Sequence, residues 1–572
     1  MYQFLSMVCA AGLATRQLYH GFADGWYHPT LRLSFRDRPL VSSVGLHLGR
    51  RVLQLMKHIE SNSLRHLTNW KVRSRDVAAE RGWPAWAWAM IAIGAFLRVA
   101  QFLCGRSLWN DEAELALNIL QRPLGGLFRP LQYHQGSPIG FLLLEKITTM
   151  LAGKGEIALR AIPFVAGITA LFVFYDVAKV YLSPAAVPIA LILFSLSRNL
   201  VYYSSEVKQY STDVLVTLIL LRAVFKLSEA SLKPRELCAI GALGSLAIWF
   251  SHPASFVLAG AVAVLVLANR VQSDEKRLAR MIWVFAAWAG SFAICYVVSL
   301  GPLSHDSALL DYWRGNFSPH GLSLIISWTS YNFFAAFENP APFNSIVGAA
   351  FFVAGCGTLL RRSRIRFGLL TAPLVVLFLA SLLHRYPLYG RLLLFLCPIL
   401  FLIVAEGAIC LYQVASRFSP ALGVALIAVL LAKPSYLAAN TLIHPLRPDD
   451  IKAGVRYIES HQRLGDPWYV YYSARYQLAY YGLISNLPMA NVRVGADCST
   501  DGVCYHNDVS QLRGSPRIWV LMSHILPYDG GDEGNLLSDQ LDKIGTRLDA
   551  FQASGVKVYL YNFSQPVPAA AK

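Results

Sequence analysis

The sequence predicts a polytopic α-helical membrane protein, and three observations carry that reading. Hydrophobic residues make up 55% of the 572 and charged residues 15%, where a soluble domain carries about a quarter charged. Apolar stretches of near-spanning length recur along most of the chain, each able to cross a bilayer as a helix. Lys and Arg gather in short loops such as "RRSRIR" at 361–366, the distribution that the positive-inside bias leaves. The formal charge of +17 therefore reads as membrane topology, and no nucleic-acid partner is expected.

The candidate spans are 83–103, 158–178, 185–202, 211–227, 236–251, 253–269, 281–301, 342–360, 367–383, 391–412 and 418–437. A weaker apolar stretch, 137–152, contains Glu145 and Lys146. The basic segments 270–280 and 361–366 belong on the cytoplasmic side, as does the basic arm 1–82. That places the loop 104–136, the turn 203–210, the stretch 384–390 and everything after 437 outside. An inside N-terminus and an outside C-terminus require an odd number of spans, about 11–13. Either 137–152 does not cross fully or a span between 104 and 203 is missed.

Three regions follow. Residues 1–82 form a basic cytoplasmic arm with no convincing cleavable signal; within it, 41–66 reads either as an amphipathic helix for an anionic leaflet or as an unstructured arm. Residues 83–439 form the transmembrane domain. In its outer loop 104–136, "NDEAELALNILQ" reads as an amphipathic helix lying along the membrane, which "RPLGGLFRP" then breaks. The aromatic stretch 302–341 suits an interfacial element. Residues 440–572 read as an extracytoplasmic soluble α/β domain, with "WYVYYS", "RIWVLMS" and "VKVYLYN" strand-like and "IKAGVRYIESHQ" and "LLSDQLDKIGTRLDAF" helix-like. Cys498 and Cys504, in the polar "DCSTDGVC", pair as a disulfide if that domain is outside, or stay two free thiols.

Chemistry-bearing residues cluster at the outer edges. Asp111 and Glu112 stand side by side after the first span. Adjacent helical residues point about 100° apart, so one can face a site while the other caps or orients; acidic residues also favour a helix's first turn. In "YYSSEVKQYSTD", helical spacing puts Glu206, Tyr210 and Asp213 on one face, with Lys208 turned away. In "HRYPLYGR", Arg385 and Arg391 set two cations outside, against the charge trend. They suit a phosphate or interfacial snorkelling. His134 and His252 each stand beside a span, where a lone His is more often a packing residue. No His/Asp/Glu cluster shows ligand spacing, so no cofactor is required and a divalent metal is not implied.

Taken together, these stretches resemble the integral membrane glycosyltransferases of the C-type (GT-C) fold. The nearest branch is the protein O-mannosyltransferase and lipid A aminoarabinose transferase group, glycosyltransferase family 39-like. The resemblance rests on Asp-Glu in the first outer loop, "GSPIGFLLLEK", "YSSEVKQYSTDVL" and "YPLYGRLLLFLCP", and covers roughly 83–440. It implies a hexosyl- or pentosyltransferase in the cytoplasmic (inner) membrane that passes a sugar, with inversion, from a polyprenyl-phosphate donor to a hydroxyl outside. The acceptor would be an envelope lipid, glycan or protein, and membrane lipid a further partner. By the same resemblance Asp111 is the general base and Glu112 orients it or a nearby cation. Lys208, Arg385 and Arg391 would hold the donor phosphate, and His134, Glu206 and Tyr210 would line the sugar or acceptor pocket. The tail differs from the mannosyltransferases' lumenal module, and His134 and Gln135 stand where the aminoarabinose enzymes carry charges. The rival reading is a transporter or flippase of an envelope lipid or glycolipid, for which inverted repeats would speak; none is visible.

Overall fold

The structure, a computed structural model, describes residues 83–564 apart from 230–231, 273–274, 486, 488 and 529–530. The arm 1–82, with its 41–66 segment, lies outside the described residues. Helices dominate as far as Ile443, and every apolar stretch expected to span coincides with helix. Among the described residues, seven helices are long and apolar enough to cross a membrane: Ala85–Leu103, Ala161–Tyr181, Leu278–Leu303, Ser345–Arg362, Arg364–Leu382, Gly390–Ala415 and Pro420–Ile443. Ala186–Leu196 and Ala254–Arg270 are apolar but shorter. The doubtful stretch forms Ile139–Ala152, 14 residues, or about 21 Å of helix against a hydrocarbon core of about 30 Å. The aromatic region 302–341 contains a 17-residue helix, Leu322–Glu338.

The segment Gly390–Ala415 runs through the middle of the bundle, and its sequence, apolar all round, is that of a helix with no solvent face. Gly390–Leu396 is a 3₁₀ turn, after which Pro398 sits in the first turn of Cys397–Ala415, where its missing N–H costs nothing. This helix meets Ser345–Arg362 backbone to backbone. A Cβ at Gly407 would collide with the Phe351 carbonyl, and one at Gly355 with the Ile403 carbonyl. Small residues at such crossings are what allow apolar helices to pack closely inside a bilayer.

Beyond residue 443 the chain builds a five-stranded sheet. Its strands are β1 (Trp468–Val470), β2 (Val492–Val494), β3 (Ile518–Ser523), β6 (Thr546–Ala553) and β7 (Val556–Asn562), while the short β4 (Pro527–Tyr528) and β5 (Gly531–Asp532) pair separately. The order is β2-β1-β3-β7-β6, parallel across β2-β1-β3 and antiparallel across β3-β7-β6. Side chains alternate across the sheet with period two. Tyr469, Val520, Met522, Tyr559 and Tyr561 face one core with Tyr505, Val509, Leu537 and Leu541. Trp468, Val470, Trp519, Leu521, Val558 and Leu560 face another, and that core also contains Leu108, Leu115, Ala116 and Ile119 of the first loop. Cys498 and Cys504 are joined as a disulfide.

That shared core corrects the expectation of a loop helix lying along the membrane. Asn110–Gln121 is buried from Glu112 through Ile119, and the apolar residues expected to face lipid share a core with the sheet and with the helix Arg475–Ser485 instead. The partner lies hundreds of residues further along, out of reach of a local pattern.

Candidate active site

The loop helix begins at Asn110, and its first turn sends Asp111 and Glu112 in different directions. Glu112 is fully buried. Arg106 donates to it at 2.6 and 3.3 Å, Arg160 at 2.9 and 3.0 Å, and the backbone N–H groups of Trp109 and Val207 at 3.3 and 2.9 Å. Burial opposes its ionisation, but Arg106 and then Arg160 outweigh that and hold the carboxyl below the usual range. Glu112 therefore fastens the helix start, the strand of loop at 106–107 and the turn at Val207 to one point. Asp111, by contrast, keeps 21% of its side chain exposed.

Asp111 forms an ion pair with Arg391 at 2.6 Å. Burial raises its carboxyl, and the opposing charges of Arg391, Lys208 and His524 more than offset that, leaving it below the ordinary carboxylate value. The Arg391 guanidinium lies over the rings of Trp109 at 5.1 Å and Trp313 at 5.9 Å, an arrangement that stabilises a desolvated cation. Its Nε is buried without a hydrogen-bond partner. Lys208 is 4% exposed and donates to Gln135 at 2.5 Å, while the amide of Gln135 donates to Glu114 at 2.5 Å. Burial lowers the Lys208 ammonium, against the pull of Asp111.

Two further carboxyls complete the cluster. Glu114 also accepts from Asn110 at 3.0 Å. Burial and the neighbouring charge of Asp111 push it up to about 8, against Lys208 and Arg475. Glu206 is fully buried, and neither of its oxygens has a hydrogen-bond partner. Burial and the charge of Glu112 raise it to about 7, against Arg106, Arg391 and Lys208. The environment thus separates four carboxyls into two held ionised and two held near neutrality, a division characteristic of acid–base sites.

Of the candidate residues, Asp111, Lys208, Glu206 and Arg391 share this cluster, and Tyr210 stands at its edge, packed edge-on to Tyr203 at 5.2 Å. Residues 204–209 are turn rather than helix, so the expected facing is corrected. Ser204 and Ser205 bond back to the carbonyls of Val201 and Tyr202 at 2.6 and 3.0 Å, which closes the preceding helix, and Lys208 turns inward. His134 points outward, its side chain 63% exposed and 2.9 Å from Asp306. Tyr133 and His134 are both left-handed, at φ 63° and 52°, and the reversal directs Gln135 to the site in place of His134. Arg385 is exposed, and no described hydrogen bond or ion pair joins it to the cluster.

Sequence reading missed Glu114, Gln135, Arg106, Arg160 and His524. Glu114 was available from its spacing, since Asp111 and Glu114 are i,i+3 neighbours. Gln135 is uncharged and gave no signal. His524 belongs to the C-terminal domain, where its Nδ1 lies 3.2 Å from Asp449 and its ring 5.9 Å from that of Trp109. Among the described residues, no group of three or more His, Cys, Asp or Glu is gathered closely enough to hold a metal.

Residues 136–299 match the family model described as dolichyl-phosphate-mannose-protein mannosyltransferase. No curated protein sequence matches the chain significantly. Among solved structures, ArnT from Cupriavidus metallidurans bound to undecaprenyl phosphate superposes with a TM-score of 0.51 at 12% identity, covering 83% of this chain and 98% of that one. AglB from Archaeoglobus fulgidus, in complex with an inhibitory peptide and a dolichol-phosphate, gives 0.46 at 13% identity, over 83% and 74% of the two chains. The arabinofuranosyltransferase AftD from Mycobacteria gives 0.40 at 15%, over 84% and 41%.

Proposed function

For a chain that carries the membrane glycosyltransferase fold of the C type, we propose transfer of a sugar from a polyprenyl phosphate to an acceptor hydroxyl on the outer face of the cytoplasmic membrane. The observation that supports it best is the Asp111–Arg391 ion pair, with Lys208 beside it, at the end of the bundle that the sheet domain covers. Asp111 takes the proton of the acceptor hydroxyl as its oxygen attacks the anomeric carbon. The bond from that carbon to the phosphate oxygen breaks, and the lipid phosphate leaves with the electron pair. One in-line displacement inverts the centre. Arg391 and Lys208 stabilise the phosphate charge, for which the unfilled Arg391 Nε is available. A phosphate that competes for Arg391 weakens the counter-charge on Asp111 and so makes it a better base as the acceptor arrives.

A small cavity of about 50 Å³, room for a water or two, lies beside the cluster. It is lined by Gln135, which holds Lys208, and by Val298, Ser299 and Leu303 of the spanning helix Leu278–Leu303.

The test is mass spectrometry of lipid extracts from cells lacking the protein and expressing either wild type or Asp111→Asn. A sugar-bearing polyprenyl phosphate is expected to accumulate with the variant, its turnover slowed by about 10²–10⁴-fold. Identical lipid profiles from a folded variant remove Asp111 as the base and favour a transporter or flippase.

A further inference from the structure

A second cavity, of about 240 Å³, opens at the same end of the bundle and shares no lining residue with the Asp111 cluster. It lies where Ala85–Leu103, Arg198–Tyr203 and Pro420–Ile443 come together, so the first and last spanning helices form two of its walls. Its polar lining is unusual for a gap between membrane helices. Arg447 reaches across it to donate to the Cys104 carbonyl at 2.9 Å. Arg198 is half-buried, and its Nε has no hydrogen-bond partner. Gln101 is 3% exposed. Its Nε2 reaches only the Leu446 carbonyl at 3.4 Å and the Cys104 sulfur at 3.7 Å, and its Oε1 is unpartnered. Leu103 and Leu442, also in the lining, are 67% and 43% exposed.

An unmatched buried donor on a cation and an unmatched buried acceptor each cost free energy until something fills them. A ligand suited to all three features has an anionic oxygen for the arginines, a hydroxyl for Gln101 and an apolar chain for the two leucines. We propose that this cavity binds the headgroup of an anionic phospholipid carrying both a phosphate and a free hydroxyl, with its chains along Leu103 and Leu442. Arginine pairs with phosphate through parallel hydrogen bonds, the chemistry by which basic pockets between membrane helices on the cytoplasmic side hold anionic headgroups, here offered at the opposite end of the bundle. Such a lipid ties the first span to the last beside the loop that carries Asp111. The site is independent of the transfer chemistry proposed above.

Native mass spectrometry of the full-length protein in detergent tests it, with dioleoyl phosphatidylglycerol as probe and dioleoyl phosphatidylcholine and inorganic phosphate as comparators. Wild type is expected to take up phosphatidylglycerol about tenfold more tightly than phosphatidylcholine. The double variant Arg198→Gln, Arg447→Gln should lose that preference. Gln101→Leu, which keeps both cations, should lower phosphatidylglycerol binding alone. The proposal is overturned if wild type does not discriminate the two lipids. It is also overturned if both the double variant and Gln101→Leu retain full preference, or if inorganic phosphate displaces the lipid, which would mark a site for soluble anions.

Discussion

Two carboxyls two positions apart on the first-loop helix, Glu112 and Glu114, are held by opposite arrangements, and that contrast predicts different failures. Glu112 compensates two buried arginines at once. Glu112→Ala leaves both charges unpaired and should destabilise the protein by about 3–5 kcal/mol, read as a lowered unfolding temperature whether or not substrate is present. Glu114 fails differently. Its carboxyl, raised to about 8, is largely neutral below that pH and ionises above it, next to Lys208. Above pH 8 the ionised form competes with the donor phosphate for Lys208, so KM for the lipid donor should rise with pH in wild type and stay flat in Glu114→Gln. Steady-state kinetics of the purified protein across pH 6.5–9, roughly spanning that titration, checks this. Residues such as Asp111, Lys208 and Arg391 were legible in the sequence because a charge beside an apolar run stands out. Gln135 was not, because a neutral amide carries no such contrast, and His134 stands outside the cluster because two left-handed residues reverse the chain there.

At the level of elements, helix existence was legible and helix facing was not. Long apolar runs announce spans by length alone, and the segment Gly390–Ala415 was found that way. Which helices touch depends on small residues that hydropathy does not weigh. The Gly355–Gly407 crossing is the clearest case. Gly407→Val drives a branched side chain into the Phe351 carbonyl, and overpacking of this kind costs about 1–3 kcal/mol or more. The helix on which it occurs carries Arg391 just before its start. Thermal unfolding in detergent should fall, and donor affinity should fall with it, whereas Gly357→Val, with open space around it, should leave both unchanged. The side-chain facing that helical spacing gives for 204–209 fails because this turn is shaped by two serine hydroxyls and by Val207 bonding to Glu112, the last a contact nearly a hundred residues distant.

For the whole molecule, the boundary near 440 was visible as the end of apolar sequence, while the docking of the sheet domain onto the loop helix was not, since no local pattern encodes a core assembled from two distant segments. The proposed orientation places that domain outside. Leu464, fully exposed in the turn before β1, offers a handle: Leu464→Cys in intact cells should react with a membrane-impermeant maleimide, and labelling only after the membrane is opened would reverse the assigned topology. The same docking bears on biogenesis. The backbone N–H of Leu108 is held by the hydroxyl of Tyr481, 373 positions later. At about 5–20 residues per second, a ribosome takes about 20–75 s to cover that distance, and for all of that interval the nascent loop helix is without its cover. The chain must therefore be carried through synthesis with this helix unsheltered, which makes that interval the point at which a quality-control protease has its longest opportunity.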